Sequence, residues 1–171
     1  MTYSCHIYHD MIIKNPERLL KKMNQAVIKR ASELINSMSE YKLGGMDGYA
    51  ALSLIDEDGY PSATTFCITK ADGINWLTFN TALDRPYAAR IAKNNKACVC
   101  INSGAHTINL VGTVEACTDM ETKKENWFPF FDDVGHWTGI DDPNLLILRF
   151  TTKRYTIQFT DDPTSYAAGN L

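Results

Sequence analysis

Short β-type segments alternating with glycine-containing turns limit what this chain can fold into more than any other feature of the sequence. Asp56-Glu57-Asp58-Gly59 has the composition of a hairpin turn in which the glycine supplies a positive φ, and Ala71-Asp72-Gly73 has that of a second turn. The segments beside these turns are apolar or rich in β-branched and aromatic residues. The pattern predicts three consecutive antiparallel strands, which are Tyr49–Ile55, Tyr60–Thr69 and Ile74–Thr81.

The rest of the chain adds three helices and further strands to the prediction. Apolar residues recur at helical spacing from Leu20 to Met38, and Asn15 is the expected N-terminal cap. They predict an amphipathic helix that packs one face on the protein. A short helix is predicted over Pro86–Asn94 with Asp84 as its cap, and a capping box predicts another from about Asp119 to Trp127. The remaining predicted strands are Ala97–Ile101, His106–Ala116, Leu145–Phe150 and Tyr155–Phe159.

Six or seven strands with helices only in the connections are typical of a small antiparallel barrel rather than a doubly wound sheet. The fold class is therefore expected to be mainly β with flanking helices, in a single domain. Residues 1–44 are expected to form an N-terminal segment whose helix packs on the barrel. Residues 45–160 are expected to form the barrel, and residues 161–171 a polar C-terminal tail.

Charge and composition exclude several classes of partner. The net charge is −3 and the 17 basic residues are dispersed, so no nucleic-acid surface is expected. No run of eighteen apolar residues predicts a membrane helix, and the N-terminus has no apolar signal core. Five cysteines without such a signal favour reduced thiols in the cytoplasm. We expect a cytoplasmic protein that binds neither nucleic acid nor a membrane.

Cysteine and histidine raise two possible chemistries outside the barrel pattern. Cys98 and Cys100 lie two apart and so point to one face of their strand, where we expect small buried core residues rather than redox or metal chemistry. Metal-binding atoms also occur close together near the N-terminus, but no second cluster accompanies them, and we expect no metal site. That N-terminal group is Cys5, His6, His9 and Asp10.

The segment from Asn80 to Tyr87 carries the most informative functional pattern. Asn80 and Thr81 put amide and hydroxyl groups at a strand end, and Arg85 and a predicted helix start follow directly. Exposed N–H groups, a helix dipole and a guanidinium together can hold an anion such as a phosphate. The same residues also suit a plain helix cap with a solvated charge, so the pattern alone leaves both interpretations open.

The order of motifs from Gly59 to Ile101 resembles the FMN-binding split barrels of the pyridoxamine 5′-phosphate oxidase-like superfamily, and most closely its general-stress-protein type. The resemblance covers about residues 45–160 and implies an FMN-binding split β-barrel of six to seven antiparallel strands. The motifs that carry it are Asp58-Gly59-Tyr60-Pro61, Asp72-Gly73, a strand from Trp76 to Thr81, a helix ending at Asn94 before Val99, Leu110-Val111-Gly112-Thr113-Val114 and Asp141-Asp142-Pro143-Asn144-Leu145.

The resemblance also implies a phosphate site with two departures from the family pattern. Thr81 matches the strand-end threonine that holds the flavin phosphate, whereas Arg85 stands at a serine position and Tyr87 at a lysine or arginine position. Arg85 can restore the lost charge because a guanidinium binds phosphate bidentately. Thr64 and Thr69 stand where the oxidases carry cations, which argues against pyridoxamine phosphate as the substrate.

The family further implies a homodimer with FMN at the subunit interface. The strand Ser62–Phe66 is expected to give backbone amides to the isoalloxazine edge, and Trp137, Phe131 and His136 are candidates for covering the ring from the second chain. A hydrophobic cluster under a loop is the alternative for these aromatic residues. The expected cofactor-binding residues are Ala63, Thr64, Thr65, Asn80, Thr81, Arg85, Tyr87 and Trp137.

The implied activity is that of a flavin-dependent oxidoreductase acting on an unidentified small molecule. No acid–base or nucleophilic constellation stands out, which agrees with redox chemistry supplied by a flavin, and no catalytic residue is predicted. A non-catalytic flavin- or ligand-binding stress-response protein is the main alternative. The same barrel holding haem or a deazaflavin is a more remote one.

Overall fold

The structure is a computed structural model that describes residues 16–40, 48–128, 131, 137–162 and 164–171, with side chains from residue 24 onward. The helices are α1 (Pro16–Met38), α2 (Tyr87–Lys93) and α3 (Met120–Asn126). The strands are β1 (Tyr49–Ile55), β2 (Pro61–Asp72), β3 (Trp76–Ala82), β4 (Lys96–Ser103), β5 (His106–Cys117), β6 (Leu145–Phe159) and β7 (Tyr166–Asn170).

All strand pairs are antiparallel, and they close into a barrel. The strand order is β3-β2-β1-β4-β5-β6-β7, and β3 also pairs with β6, so six strands form the closed barrel and β7 extends it beyond β6. The chain order of hairpins explains this topology, because three strands joined by tight turns pair most readily with their neighbours. The predicted mainly β fold, an antiparallel split barrel of six to seven strands, is confirmed.

Alternation along the strands fills the barrel with aliphatic and aromatic side chains. In β1 and β4, every second residue is buried, as in Leu52, Leu54, Val99 and Ile101. Helix α1 lies against this core through Val27, Ala31 and Ile35, which recur at helical spacing. The amphipathic helix predicted up to Met38 is therefore confirmed, whereas its expected cap Asn15 lies outside the described residues.

The barrel is split along the first half of β2. From Pro61 to Cys67 this strand pairs with β1, whereas its pairing with β3 begins only at Ile68. A register shift between Ile68 and Lys70 also interrupts the ladder between β2 and β3. Among the described strands, none pairs with the other edge of β2 over Pro61–Cys67, so the backbone there faces an opening rather than a ladder.

The C-terminal half of the fold differs from the prediction at two points. Leu145–Phe150 and Tyr155–Phe159 were predicted as separate strands but form one strand, β6, which pairs with β5 along its length, with β3 at its start and with β7 at its end. The tail predicted over residues 161–171 contains β7, in which Ala167 is fully buried. Alanine, glycine and asparagine have weak strand propensity, so tertiary pairing and not local preference makes this segment a strand.

Cys98 and Cys100 share one face of β4 as predicted, but that face is the outer one and both side chains are half-buried rather than in the core. The buried face of β4 is formed by Ala97, Val99 and Ile101. Period-2 alternation fixed the shared face, and only the register against neighbouring strands decides which face is inside.

Cys98 and Cys100 belong to what we call the outer sheet face, two rows of residues that lie side by side across six strands. Its first row is Thr65, Ala51, Cys100, Asn109, Thr156 and Ala168, and its second row is Ala63, Ser53, Cys98, Val111, Arg154 and Asn170. Arg154 is the single charged residue among these twelve. Among the described residues, no helix is both long and apolar enough to cross a membrane.

Candidate functional site

The opening along β2 is bordered by the turn from β3 into α2 and by α2 itself. Helix α2 begins at Tyr87 after Pro86, whose fixed φ of −67° suits a helix start. The predicted cap Asp84 does not cap the helix: the N-cap position is Pro86, without a side-chain hydrogen bond. The short helix therefore starts because of proline geometry, and Asp84 is left beside Arg85 at the surface.

Tyr87 reaches from α2 to the open part of β2. Its hydroxyl donates to the Thr64 hydroxyl at 3.4 Å, and its ring meets Phe66 edge-on with 5.2 Å between centroids. Phe66 in turn lies 5.8 Å from Phe79 in the core. Thr64 and Phe66 face the barrel interior, because they pair with inward-facing residues of β1. Thr64 and Tyr87, both expected site residues, are thus brought together.

Arg90, one helical turn after Tyr87, lies at the same opening and was missed by the sequence reasoning. Its guanidinium donates from Nε and Nη2 to the two carboxylate oxygens of Glu57, each at 3.0 Å, and from Nη1 to the Ser62 hydroxyl at 3.5 Å. Only 17% of the Arg90 side chain is exposed. Lys93 donates to the backbone carbonyl of Glu57 at 3.0 Å. Helix α2 is thereby bound to the β1–β2 turn.

The Glu57–Arg90 pair perturbs both partners electrostatically. Hydrogen bonds from Arg90 hold the pKa of the Glu57 carboxyl below its usual range, and Glu57 raises the already high pKa of Arg90. Glu57 itself is 61% exposed, so its carboxylate is largely hydrated and its ion pair with Arg90 is easily broken.

Arg85, the cation expected at the phosphate, is placed differently from Arg90. Its side chain is 69% exposed, and its ion pair with Asp84 is loose, with 3.8 Å between Arg85 Nε and Asp84 Oδ1. The residue is in the expected place, before the start of α2, but its side chain is not held toward the opening. Water screens the charge of such an exposed guanidinium, and the adjacent Asp84 carboxylate partly neutralises it.

Asn80 and Thr81, although adjacent in sequence, face opposite sides of β3. Thr81 is 8% exposed and alternates with the core residues Leu77 and Phe79. Asn80 lies on the other side, where both polar atoms of its amide are buried and have no hydrogen-bond partner among the described residues. An orphaned buried amide is costly, which marks Asn80 as a position that a ligand or water would satisfy.

Ala63 and Thr65 point away from Thr64, onto the outer sheet face, where both are exposed. The eight expected cofactor-binding residues therefore do not form one side-chain cluster. Thr64 and Tyr87 touch at the opening, Arg85 stands at its rim, and Ala63 and Thr65 can contribute there only through their backbone. This division follows from the period of two along β2.

The loop after α3 is bound to the rim of the opening. Asn144 accepts the backbone N–H of Leu83 through its carbonyl at 2.8 Å and that of Asp84 through its side chain at 3.0 Å. Asp142 organises the loop by accepting from the backbone N–H groups of Thr138 and Asn144, which lower the pKa of its carboxyl. Loop and rim therefore form one hydrogen-bonded unit.

The aromatic residues before this loop form a cluster within one chain. Phe131 is buried and contacts the rings of Trp127 and Phe128, with centroids 5.6 and 6.0 Å apart. The alternative interpretation, a hydrophobic cluster under a loop, therefore holds for Phe131. Trp137 is half-buried, and His136 lies outside the described residues.

The residues at the opening fit a ligand that combines a planar ring with an anionic group. An unpaired strand edge offers backbone donors and acceptors, Tyr87 and Phe66 supply aromatic surface, and Arg85 and Arg90 supply positive charge. Within the described parts of the chain, no group of three or more histidine, cysteine or acidic residues is placed to hold a metal ion. The N-terminal group from Cys5 to Asp10 lies outside the described residues.

Comparison with known proteins agrees with this architecture. A protein related to general stress protein 26 of Bacillus subtilis, from Clostridium acetobutylicum and of the pyridoxinephosphate oxidase family, superposes with a TM-score of 0.69 at 22% identity over 85% of this chain and 95% of that one. General stress protein 26 from Bacillus anthracis gives 0.62 at 16% identity, over 84% and 98% of the two chains. A NimC/NimA family protein from C. acetobutylicum gives 0.57 at 19% identity, over 84% and 93%.

At these identities the solved structures establish the fold, and the sequence family is established separately. A search of curated proteins found no match. A family model described as pyridoxamine 5′-phosphate oxidase matches residues 46–159, about two thirds of the chain and nearly all of the barrel. The chain belongs to the pyridoxamine 5′-phosphate oxidase family.

Proposed function

We propose that this protein binds FMN at the opening along β2 and acts as a flavin-dependent oxidoreductase on a small molecule. The observation that carries the proposal is that the family match coincides with a barrel split at Pro61–Cys67 and bordered by Tyr87 and Thr64. Neither feature alone would suffice, because a split edge without a ligand surface is only an exposed strand edge.

The chain's own residues would divide the binding between them. The backbone of Ser62–Phe66 faces the opening and can hydrogen-bond the ring edge, and we propose that Tyr87 and Arg85, at the start of α2, lie beside the phosphate. Asn80, Thr81 and Trp137 also remain proposed cofactor contacts. Thr81 would contribute through the atoms that it exposes at the end of β3. When bound, the flavin supplies hydride or electron chemistry, and the protein supplies position and hydrogen bonds.

Pyridoxamine phosphate is not the substrate we propose. Thr69, at a position where the oxidases carry a cation, is 1% exposed and hydrogen-bonded to Thr78 at 3.0 Å. Thr64 is neutral and already in contact with Tyr87. A second phosphate on the substrate would therefore lack a cationic partner at either position.

The proposal includes a homodimer with the cofactor at the subunit interface, in the cytoplasm. Its support in the fold is the outer sheet face, because a solvent-facing antiparallel sheet is normally rich in charge and these twelve residues include only Arg154. Small uncharged side chains let a second copy approach closely. Ala63 and Thr65 of the cofactor-binding strand lie on this same face.

The decisive experiment is a visible absorption spectrum of the purified protein with a titration of added FMN. We expect flavin bands in the protein as isolated, or saturable quenching of FMN fluorescence at one equivalent per chain. A colourless protein that leaves FMN fluorescence unchanged would refute flavin binding.

A second candidate, a non-catalytic flavin- or ligand-binding stress-response protein, is favoured by one observation. The Arg90 guanidinium at the opening is bound to Glu57 and not left open toward a substrate. Oxidation of reduced nicotinamide in the presence of bound FMN separates the two candidates. Turnover supports the oxidoreductase, and tight FMN binding without turnover of any reductant supports the binding protein. Haem or a deazaflavin would be recognised by its own absorption spectrum.

A further inference from the structure

We propose that Arg90, together with the hydroxyls of Ser62, Thr64 and Tyr87, forms a phosphate-binding site that Glu57 occupies until a ligand replaces it. The site takes a phosphate monoester or free phosphate. This site deepens the proposed function, because it makes Arg90 and not Arg85 the principal cation of the opening. To that extent the site rests on the proposed function.

Four polar groups converge at this site without satisfying one another. Tyr87 and Thr64 are 3.4 Å apart, and Arg90 Nη1 is 3.5 Å from Ser62, so each contact is at the outer limit of a hydrogen bond. Ser62 and Thr64 point to the same side of β2, two residues apart. Three hydroxyls and one guanidinium N–H at this border of the opening therefore retain donor capacity, which a phosphate with several acceptor oxygens can use.

Arg90 is better suited to hold an anion than Arg85. Its side chain is 83% covered, since 17% is exposed, whereas that of Arg85 is 69% exposed. A covered guanidinium is less screened and less free to move, so each charge-assisted hydrogen bond it makes is stronger. Arg90 is also already held in the bidentate geometry that a phosphate would need, as its two contacts with Glu57 show.

Glu57 is bound in a way that permits exchange. Its carboxylate takes the two guanidinium positions of an incoming anion, but it is 61% exposed and lies on the β1–β2 turn. Lys93 holds the turn through the backbone carbonyl of Glu57 and not through its carboxylate, so the turn stays anchored when the side chain leaves. The site then presents Arg90 to the anion that has displaced Glu57, while Lys93 keeps the turn in place.

Thermal unfolding in inorganic phosphate, against chloride at equal ionic strength, tests the site without any flavin. We expect phosphate to raise the Tm of the wild type, and Arg90→Ala to weaken phosphate about 10- to 100-fold, the range of a charge-assisted hydrogen bond. Arg85→Ala should change the affinity by no more than about threefold, as for an exposed charge. If Arg90→Ala fails to fold, Arg90→Lys, which keeps the charge but loses the bidentate geometry, replaces it.

Glu57→Gln gives the opposite and more specific result. Removing the competing carboxylate should tighten phosphate binding up to about fivefold, the equivalent of an exposed ion pair. Glu125→Gln, which removes a carboxylate 3.2 Å from Arg149 on the other side of the barrel, is the matched control and should leave phosphate binding unchanged. Unchanged affinity in Glu57→Gln, or equal stabilisation of wild type and Arg90→Ala by phosphate, overturns the proposal.

FMN and riboflavin titrations identify the source of the phosphate. If the site holds the cofactor, Arg90→Ala weakens FMN and leaves riboflavin unchanged. If it holds another phosphorylated molecule, FMN affinity is unchanged and the phosphate effect persists. Wild-type protein that binds phosphate through Arg90 but no flavin would refute the proposed function alone, and FMN binding that depends on Arg85 and not Arg90 would refute this inference alone.

Discussion

Gly112 allows β5 and β6 to pack closely because it has no side chain. It lies at the register shift between β5 and β6, where a Cβ atom would overlap the backbone carbonyl oxygen of Thr151 and press on the ring of Phe150. Neither neighbour can move away easily, because one is backbone and the other is fully buried. The Gly112 motif noted in the sequence therefore serves close packing of two strands and not a turn.

We expect Gly112→Ala to lower the free energy of unfolding by about 1–3 kcal/mol, the range of overpacking in a filled core. Urea denaturation followed by far-UV circular dichroism measures this change. Gly104→Ala is the matched control, since a Cβ there meets no atom within 4 Å. Equal stability of the two variants would show that β5 and β6 can separate at the bulge.

His106 links the stability of the fold to pH. It sits at the start of β5 beside Ser103 and the ring of Phe159, and burial, followed by the charge of Arg30, lowers the pKa of its imidazole. In the unfolded chain His106 has the ordinary histidine pKa of about 6.5, so it takes up a proton more readily there than in the folded protein. The contribution of His106 to stability is present above that pKa and is lost as the pH falls through the window below it.

The corresponding prediction compares wild type with His106→Gln between pH 7.5 and 5.5, about one unit either side of that pKa. Both proteins lose stability from other groups, but the wild type should lose more, because only it takes up the His106 proton. Urea midpoints at each pH measure the difference. A parallel decline in the two proteins would mean that His106 keeps its ordinary pKa in the folded state.

At the scale of elements, local sequence patterns predicted most of the barrel and failed where long-range pairing decides. The β1 bounds and the positions of α1, α2 and α3 followed from alternation, helical spacing and capping, all of which are local. The union of two segments into β6 and the strand β7 depend on neighbours far away in sequence. The Glu57–Arg90 pair was missed for the same reason, since no local pattern relates residues 33 positions apart.

Strand β7 offers a prediction at this scale, because its residues were expected to belong to a polar tail. It pairs with β6 over five residue pairs, buries Ala167 and places Gly169 against the ring of Tyr155. Truncation after Asp162 should therefore lower the free energy of unfolding by at least about 2 kcal/mol, from several net backbone hydrogen bonds. Removal of Leu171 alone, which is exposed, is the control. Full stability of the longer truncation would show that β7 pairing is energetically idle.

Further support for β7 comes from the segment before it. Arg30 on α1 donates to both carboxylate oxygens of Asp161, at 2.9 and 2.7 Å, and lies 3.8 Å from the centroid of the Phe159 ring. An exposed bidentate pair and a cation–π contact each contribute modestly to stability, because water screens them. Together they join helix α1, the end of β6 and the segment that follows β6 at one point, which the composition of a polar tail did not indicate.

We expect the outer sheet face to be the surface through which two copies of the chain meet in the proposed homodimer. On this face Ser53 lies in the second row, between Ala63 on one side and Cys98 on the other. An arginine there would bring a charge and a long side chain into a surface built from small groups. The fold itself should tolerate it, because Ser53 is half-buried on the outside of β1 and not in the core.

We therefore expect Ser53→Arg to convert a dimer into a monomer, as measured by analytical ultracentrifugation, with an unchanged circular dichroism spectrum. Ala92→Arg, on the exposed side of α2, adds the same side chain away from the face and should remain dimeric. Since the proposed cofactor site is completed by the second chain, FMN affinity should fall in Ser53→Arg and not in Ala92→Arg. A wild type that is monomeric at high concentration and still binds FMN stoichiometrically would mean that one chain supplies the whole site. The outer sheet face, with its scarcity of charge, would then have a partner other than a second copy of this chain.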